Sequence, residues 1–110
     1  MANQKQLNQM MRQVQKMQAD MAAAQEALAN ETVEATVGGG MVTAVATGSG
    51  ELVSISISPD VVDPDDVEML EDLVVAAVTE AMRLAHQRQG ERLGGVTGGV
   101  DLGSLGGLLG

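Results

Sequence analysis

The residues able to do covalent or metal chemistry are few. The one histidine, His86, stands among Arg83, Gln87 and Arg88 in the last helical run. Nucleophilic catalysis needs a nucleophile, a base and a group that orients the base. A lone histidine beside arginines reads instead as a cation near a helix end. Asp60, Asp63, Asp65, Asp66 and Glu68 form an acidic cluster. A calcium loop of the EF-hand type turns on a central glycine and closes with a glutamate. The spacing here supplies neither, and a helix N-terminus, which favours anions, accounts for the acids. Gly38-Gly39-Gly40 is not followed by the Gly-Lys-Ser/Thr of a phosphate loop. The methionines near the start occupy apolar helix positions and read as adaptable packing rather than a copper site. With no cysteine in the chain, disulfides, thiolate catalysis and zinc–cysteine sites are excluded. The inventory predicts no catalytic residue, no metal, no cofactor and no small-molecule substrate.

Charge is what remains. The formal net charge is −9, from 6 Lys and Arg against 15 Asp and Glu. That total opposes a polyanionic partner, but the distribution does not. Residues 1–30 carry Lys5, Arg12 and Lys16 against Asp20 and Glu26, and residues 31–82 carry acids and no base. Residues 83–110 carry Arg83, Arg88 and Arg92 against Glu91 and Asp101. All the bases therefore lie on the two terminal segments. There is no Phe, Trp or Tyr, so stacking on single-stranded bases has no platform, and large aromatic anchors are absent from any interface.

The elements that must position these bases follow from periodicity. From about Gln4 to Asn30, Leu7, Met10, Val14, Met17, Met21, Ala24 and Leu28 are spaced alternately by three and four residues. This is the seam of a coiled coil, set in good helix formers. At ~100° per residue, Lys5, Arg12 and Lys16 share a narrow sector nearly opposite that seam. Thr32–Val37, Met41–Thr47 and Leu52–Ser58 alternate between glycine turns and predict a three-stranded antiparallel meander, with Val53, Ile55 and Ile57 on one face of the last strand. Asp63 and Pro64 predict an N-cap and first position of a second helix. On that helix Val67, Leu70, Val74, Ala77, Val78, Ala81 and Ala85 mark one face, and it stops at Gly90, or at Gly94 after fraying. Residues 94–110, rich in glycine and leucine, are expected to form a disordered tail behind a folded domain of residues 1–93.

The fold class is thus α+β: a helix, a three-stranded antiparallel sheet and a helix. A helix of ~39 Å outruns strands of ~23 Å. One small sheet cannot cover the seam, so the chain is expected to form an intertwined homodimer through Leu7, Met10, Val14, Met17 and Met21. The alternative partner for that seam is the chain's own second helix. No apolar run approaches the ~18 residues of a membrane span. The polar opening lacks the apolar stretch of a signal peptide, which leaves the cytoplasm as the expected location.

Several stretches resemble the YbaB/EbfC family of bacterial nucleoid-associated proteins. They are the Gln- and Met-rich run Leu7-Asn-Gln-Met-Met-Arg-Gln-Val-Gln-Lys-Met-Gln-Ala-Asp-Met21, Gly40-Met-Val-Thr-Ala-Val45, Ile57-Ser-Pro-Asp60 and Met69-Leu-Glu-Asp-Leu-Val-Val-Ala-Ala77. The resemblance spans roughly residues 5–90, with the pieces in order. It implies a homodimer that binds double-stranded DNA at the nucleoid, for nucleoid organisation or gene regulation, without catalysis or cofactor. The ends of the two helices are the parts it implies for DNA contact: Lys5, Arg12 and Lys16 on the first, and Arg83, Arg88 and Arg92 on the last. The chain departs from the family where sheets commonly carry Lys or Arg, since no base occurs between Lys16 and Arg83. A second reading stays open. A non-catalytic adaptor could use the exposed helix seam or an acidic sheet surface to recruit a DNA-processing partner.

Overall fold

Five elements follow the expected order in the computed structural model, which describes residues 3–96. The first helix, α1, spans Gln4–Asn30. Asn3 caps it, its Oδ1 accepting from the Lys5 N–H at 3.2 Å. Strands β1 (Thr32–Val37), β2 (Val42–Thr47) and β3 (Leu52–Ile57) form one antiparallel sheet in the order β1-β2-β3. A single 3-10 turn, Pro59–Val61, leads toward the second helix, α2, which spans Val67–Val96. Gly38, Gly39 and Gly40 all have positive φ in the first hairpin, a run of backbone that side chains with a Cβ adopt only with strain.

The core lies where α2 crosses β1 and β2. Val33, Ala35, Val42, Ala44, Ala46, Val61, Ala77, Ala81 and Ala85 are buried together. Ala77, Ala81 and Ala85 recur every four residues and are wholly covered, as are Ala44 and Ala46 opposite them. Small side chains on both surfaces bring the helix close to the sheet. They also keep the buried apolar volume low: Val42 is the largest side chain that is fully covered. Among the described residues no helix is long and apolar enough to cross a membrane.

Three local expectations are corrected. The second helix does not start at Pro64. Asp63 instead closes an intervening turn, accepting from the Asp65 N–H at 2.9 Å, and its carbonyl accepts from the Asp66 N–H. Asp66 then serves as the cap, its Oδ1 accepting from the Met69 N–H at 3.3 Å. A glycine in a helix costs only ~1 kcal/mol relative to alanine. Between the two glycines Leu93, half-buried beside Gln25 and Leu28, holds the helix to the body, and the helix runs on through Gly94 to Val96, so neither Gly90 nor Gly94 ends it. Residues 94–96 thus continue α2, and the rest of the expected tail lies outside the described residues. In β3 the register shifts opposite Val45 and Ala46, so that Ala46 faces Leu52 and Val53 is the extra residue. Val53 accordingly does not share the inward row with Ile55; it is 57% exposed.

Candidate nucleic-acid interface

The geometry of α1 sets where the bases sit. Its last two turns pack: Ala24 and Leu28 are buried, and Met21 and Ala27 are half-buried. Every residue from Asn3 to Asp20 is exposed. Gln25 and Leu28 lie beside Gln89 and Leu93, and Glu31 lies against Arg88, so α1 runs antiparallel to α2 where they meet. The free part of α1 therefore extends beyond the C-terminal end of α2.

On that projecting helix the apolar seam is open. Leu7, Met10, Val14 and Met17 are 53, 62, 55 and 48% exposed. A shallow groove of about 420 Å³ runs along it, lined by Val14, Met17, Gln18, Met21, Ala22 and Gln25. Lys5, Arg12 and Lys16 are exposed on the sector away from the seam. Among the described residues none of these three makes an ion pair.

The arginines of α2 are held differently. Arg83 pairs with Glu80 one turn earlier, at 2.6 Å from Nη2 to Oε1 and 3.0 Å from Nε to Oε2. That hydrogen bond, helped by the charge of the guanidinium, holds the Glu80 carboxyl below the usual carboxylate range and raises Arg83 in turn. Arg88 and Arg92 both turn to Glu31, the residue that caps the end of α1. Arg88 Nη1 donates to Glu31 Oε2 at 3.4 Å, and Arg92 Nη2 pairs with Oε1. The joint is completed by the Gly48 N–H donating to the Glu31 carbonyl at 2.9 Å and by Gln89 Nε2 donating to the Gly48 carbonyl at 2.9 Å. Glu31 is the residue that sequence reasoning missed. It stands alone between a helix and a strand, and its Arg88 partner is 57 residues away in sequence, so no local pattern marks it.

The acids gather at the other pole. Asp60, Asp63, Asp65, Asp66, Glu68, Glu71 and Asp72 lie on the 3-10 turn, the loop after it and the first turns of α2. The sheet itself is not acidic. Its outer face carries Thr32, Thr36, Thr43, Thr47, Ser54 and Ser56 in register, with Glu34 the acid among them and Thr36 Oγ1 3.1 Å from Thr43 Oγ1. An acidic sheet surface is thus corrected to an acidic helix end. From Asp66 to Arg88 the helix rises ~33 Å, several Debye lengths at physiological salt, where one is ~8 Å. The negative pole is electrostatically remote from the tip of α1. No group of three His, Asp or Glu side chains able to hold a metal is found among the described residues. His86 is exposed on α2.

Comparison with known proteins agrees with this architecture. The YbaB/EbfC DNA-binding family matches residues 3–100. Proteins named nucleoid-associated protein are similar along nearly the whole chain. One from Alkaliphilus metalliredigens is 52% identical over 99 residues, which are 90% of this chain and 87% of that protein. One from Thermoanaerobacter pseudethanolicus is 54% identical over 90% of this chain and 89% of its own. One from Saccharopolyspora erythraea is 52% identical over 93% and 89%. The crystal structure of an uncharacterized protein from Helicobacter pylori shares the fold, with a TM-score of 0.72 at 19% identity, covering 89% of this chain and all of that one.

Proposed function

Because the chain belongs to the YbaB/EbfC DNA-binding family, we propose that it is a nucleoid-associated homodimer that grips double-stranded DNA by its phosphates. Lys5, Arg12 and Lys16 of each α1 carry most of the grip. The observation that supports this is the two-sided character of the projecting helix: an open apolar seam on one side and, on the other, three exposed bases that make no ion pair among the described residues. A second copy seated on Leu7, Met10, Val14, Met17 and Met21 would bury the seam and leave both rows of bases facing outward. The outer strand β3 offers a partner copy a further apolar edge, with Leu52, Val53 and Ile57 exposed. A core that fully covers nothing larger than Val42 gains stability from such a partner.

Arg83, Arg88 and Arg92 are auxiliary contacts in this reading, each already sharing its charge with a carboxylate. Phosphate contacts position a protein without reading sequence, so preference among sequences is weak. The role is organisation of the nucleoid or regulation through it, from a cytoplasmic, nucleoid-bound pool, with no catalytic step. The acidic end of α2 favours the second reading, an adaptor that holds a basic DNA-processing partner. A salt titration on bare duplex separates the two. Micromolar or tighter binding that weakens steeply with salt, alike on unrelated sequences, supports DNA binding. No binding at ~50 mM salt, where phosphate contacts are strong, supports the adaptor.

A further inference from the structure

We propose that Glu31 is a built-in brake on DNA affinity: it holds Arg88 and Arg92 so that a pair of arginines reaching the surface presents only one net positive charge. This inference rests on the phosphate-grip reading above. Its geometry is specific. One carboxylate accepts from two guanidiniums, Arg88 through Nη1 to Oε2 and Arg92 through Nη2 to Oε1. The Glu31 side chain is 23% exposed, whereas those of Arg88 and Arg92 are 43 and 46% exposed. The acid therefore lies beneath two cations whose outer edges meet solvent. An arriving phosphate finds the guanidiniums accessible but competes for them with a carboxylate that is already in place, on a residue whose backbone caps α1 and accepts from Gly48. Charge-assisted bonds from Arg to carboxylate and to phosphate are of the same kind and strength, so the carboxylate takes up what the phosphate would otherwise gain. Glu34 and Glu91 line the groove beside Arg88 but make no ion pair with it among the described residues, and they stay in place in the test below.

The site lies on the same helix as Lys5, Arg12 and Lys16 but at its packed end, fifteen positions and ~22 Å beyond Lys16, and away from the acidic pole. Releasing Arg88 and Arg92 would add positive charge at the end of α1 opposite Lys5. Each chain would gain about one net charge. At ~0.9 in log–log salt slope per phosphate neutralised, that steepens the slope by ~0.9 and strengthens binding about tenfold at ~50 mM salt for each chain, about a hundredfold for the two copies together.

The experiment compares full-length wild type, Glu31→Gln, Arg88→Gln/Arg92→Gln and the combined triple variant by fluorescence anisotropy on duplex DNA across salt. A thermal melt on each confirms folding. Glu31→Gln is expected to tighten binding of the homodimer about a hundredfold at ~50 mM salt and to steepen the slope, and the triple variant to lose that gain. Arg88→Gln/Arg92→Gln alone is expected to weaken binding, because it removes the one net positive charge of the cluster and leaves Glu31 unpaired, but by less than removal of the three bases of α1. An unchanged or weaker affinity for Glu31→Gln overturns the proposal, and so does the same gain in the triple variant, since the arginines would then be irrelevant. Should Glu31→Gln fail to fold, Arg88→Gln/Arg92→Gln still decides: a loss as large as that from removing Lys5, Arg12 and Lys16 overturns the brake. Wild-type binding with no effect at Glu31 sinks the brake and leaves the phosphate grip standing. No wild-type binding, with binding gained by Glu31→Gln, does the reverse. If neither binds, both fail.

Discussion

Replacing Lys5, Arg12 and Lys16 together with alanine is expected to abolish most of the salt dependence of DNA binding. Lys5 and Lys16 are eleven positions apart on an unbroken helix, a rise of ~16 Å. Over that distance one strand of B-DNA presents about five phosphates at ~3.4 Å each along the axis. Three side chains on one sector can therefore meet three different phosphates, and the two copies six. At ~0.9 per phosphate the log–log slope is about −5, a loss of about a thousandfold between 50 and 200 mM salt. The triple-alanine variant retains only arginines that a carboxylate already holds. Its slope is expected to be shallower than about −2, with affinity at 50 mM salt at least a hundredfold weaker. The fold should not suffer, because all three side chains are exposed, alanine is the best helix former, and such surface changes fall within about 0.5 kcal/mol. The assay is fluorescence anisotropy on two 30-base-pair duplexes of unrelated sequence at three salt concentrations. A variant with the wild-type slope would refute the phosphate grip on α1. A loss on one duplex but not the other would refute its indifference to sequence.

Three further outcomes are expected. Met17→Glu places a carboxylate in the open seam; burying it against a second copy forfeits the ~1.5–3 kcal/mol of an apolar side chain and adds a desolvation cost, so sedimentation should report a dimer weakened at least about tenfold, and an unchanged dissociation constant would mean that the seam is not the interface. Gly48→Ala should destabilise the fold by about 1–3 kcal/mol in chemical denaturation at fixed chain concentration, because a Cβ there would stand 2.9 Å from the Leu28 carbonyl oxygen and 3.0 Å from its Cδ2; an undiminished midpoint would show that α1 is not packed against this turn. The Glu80 carboxyl, held low by its hydrogen bond from Arg83, gives a stabilising contribution that is present above its unfolded-state range and lost as pH falls through its lower folded value. Its NMR titration midpoint should therefore lie below the ordinary carboxylate range and return to it in Arg83→Gln; identical midpoints would dissolve the pair.

Much of this protein is decided within a few residues at a time, and such features were legible in the chain. The seam from Leu7 to Leu28, the alternation of Val33, Ala35 and Val37 and the glycine turns depend on local periodicity and backbone freedom, which act in any surroundings. The family motifs are legible for the same reason, being contiguous strings. The features that needed tertiary structure are those that balance against a distant partner. Asp63 and Asp66 are both competent caps, and the turn that follows Val61 into the core selects Asp66. Gly90 and Gly94 are weak helix breakers, and packing of Leu93 against α1 outweighs them. Val53 alternates correctly in the sequence, yet the register with β2 makes it the extra residue. The six bases could be counted from the chain, but only folding divides them into three on α1 that make no ion pair among the described residues and three that carboxylates hold, because Coulomb pairing depends on separation in space, and the Glu31 side chain reaches Arg88 and Arg92 only after the sheet has turned α2 back against the end of α1.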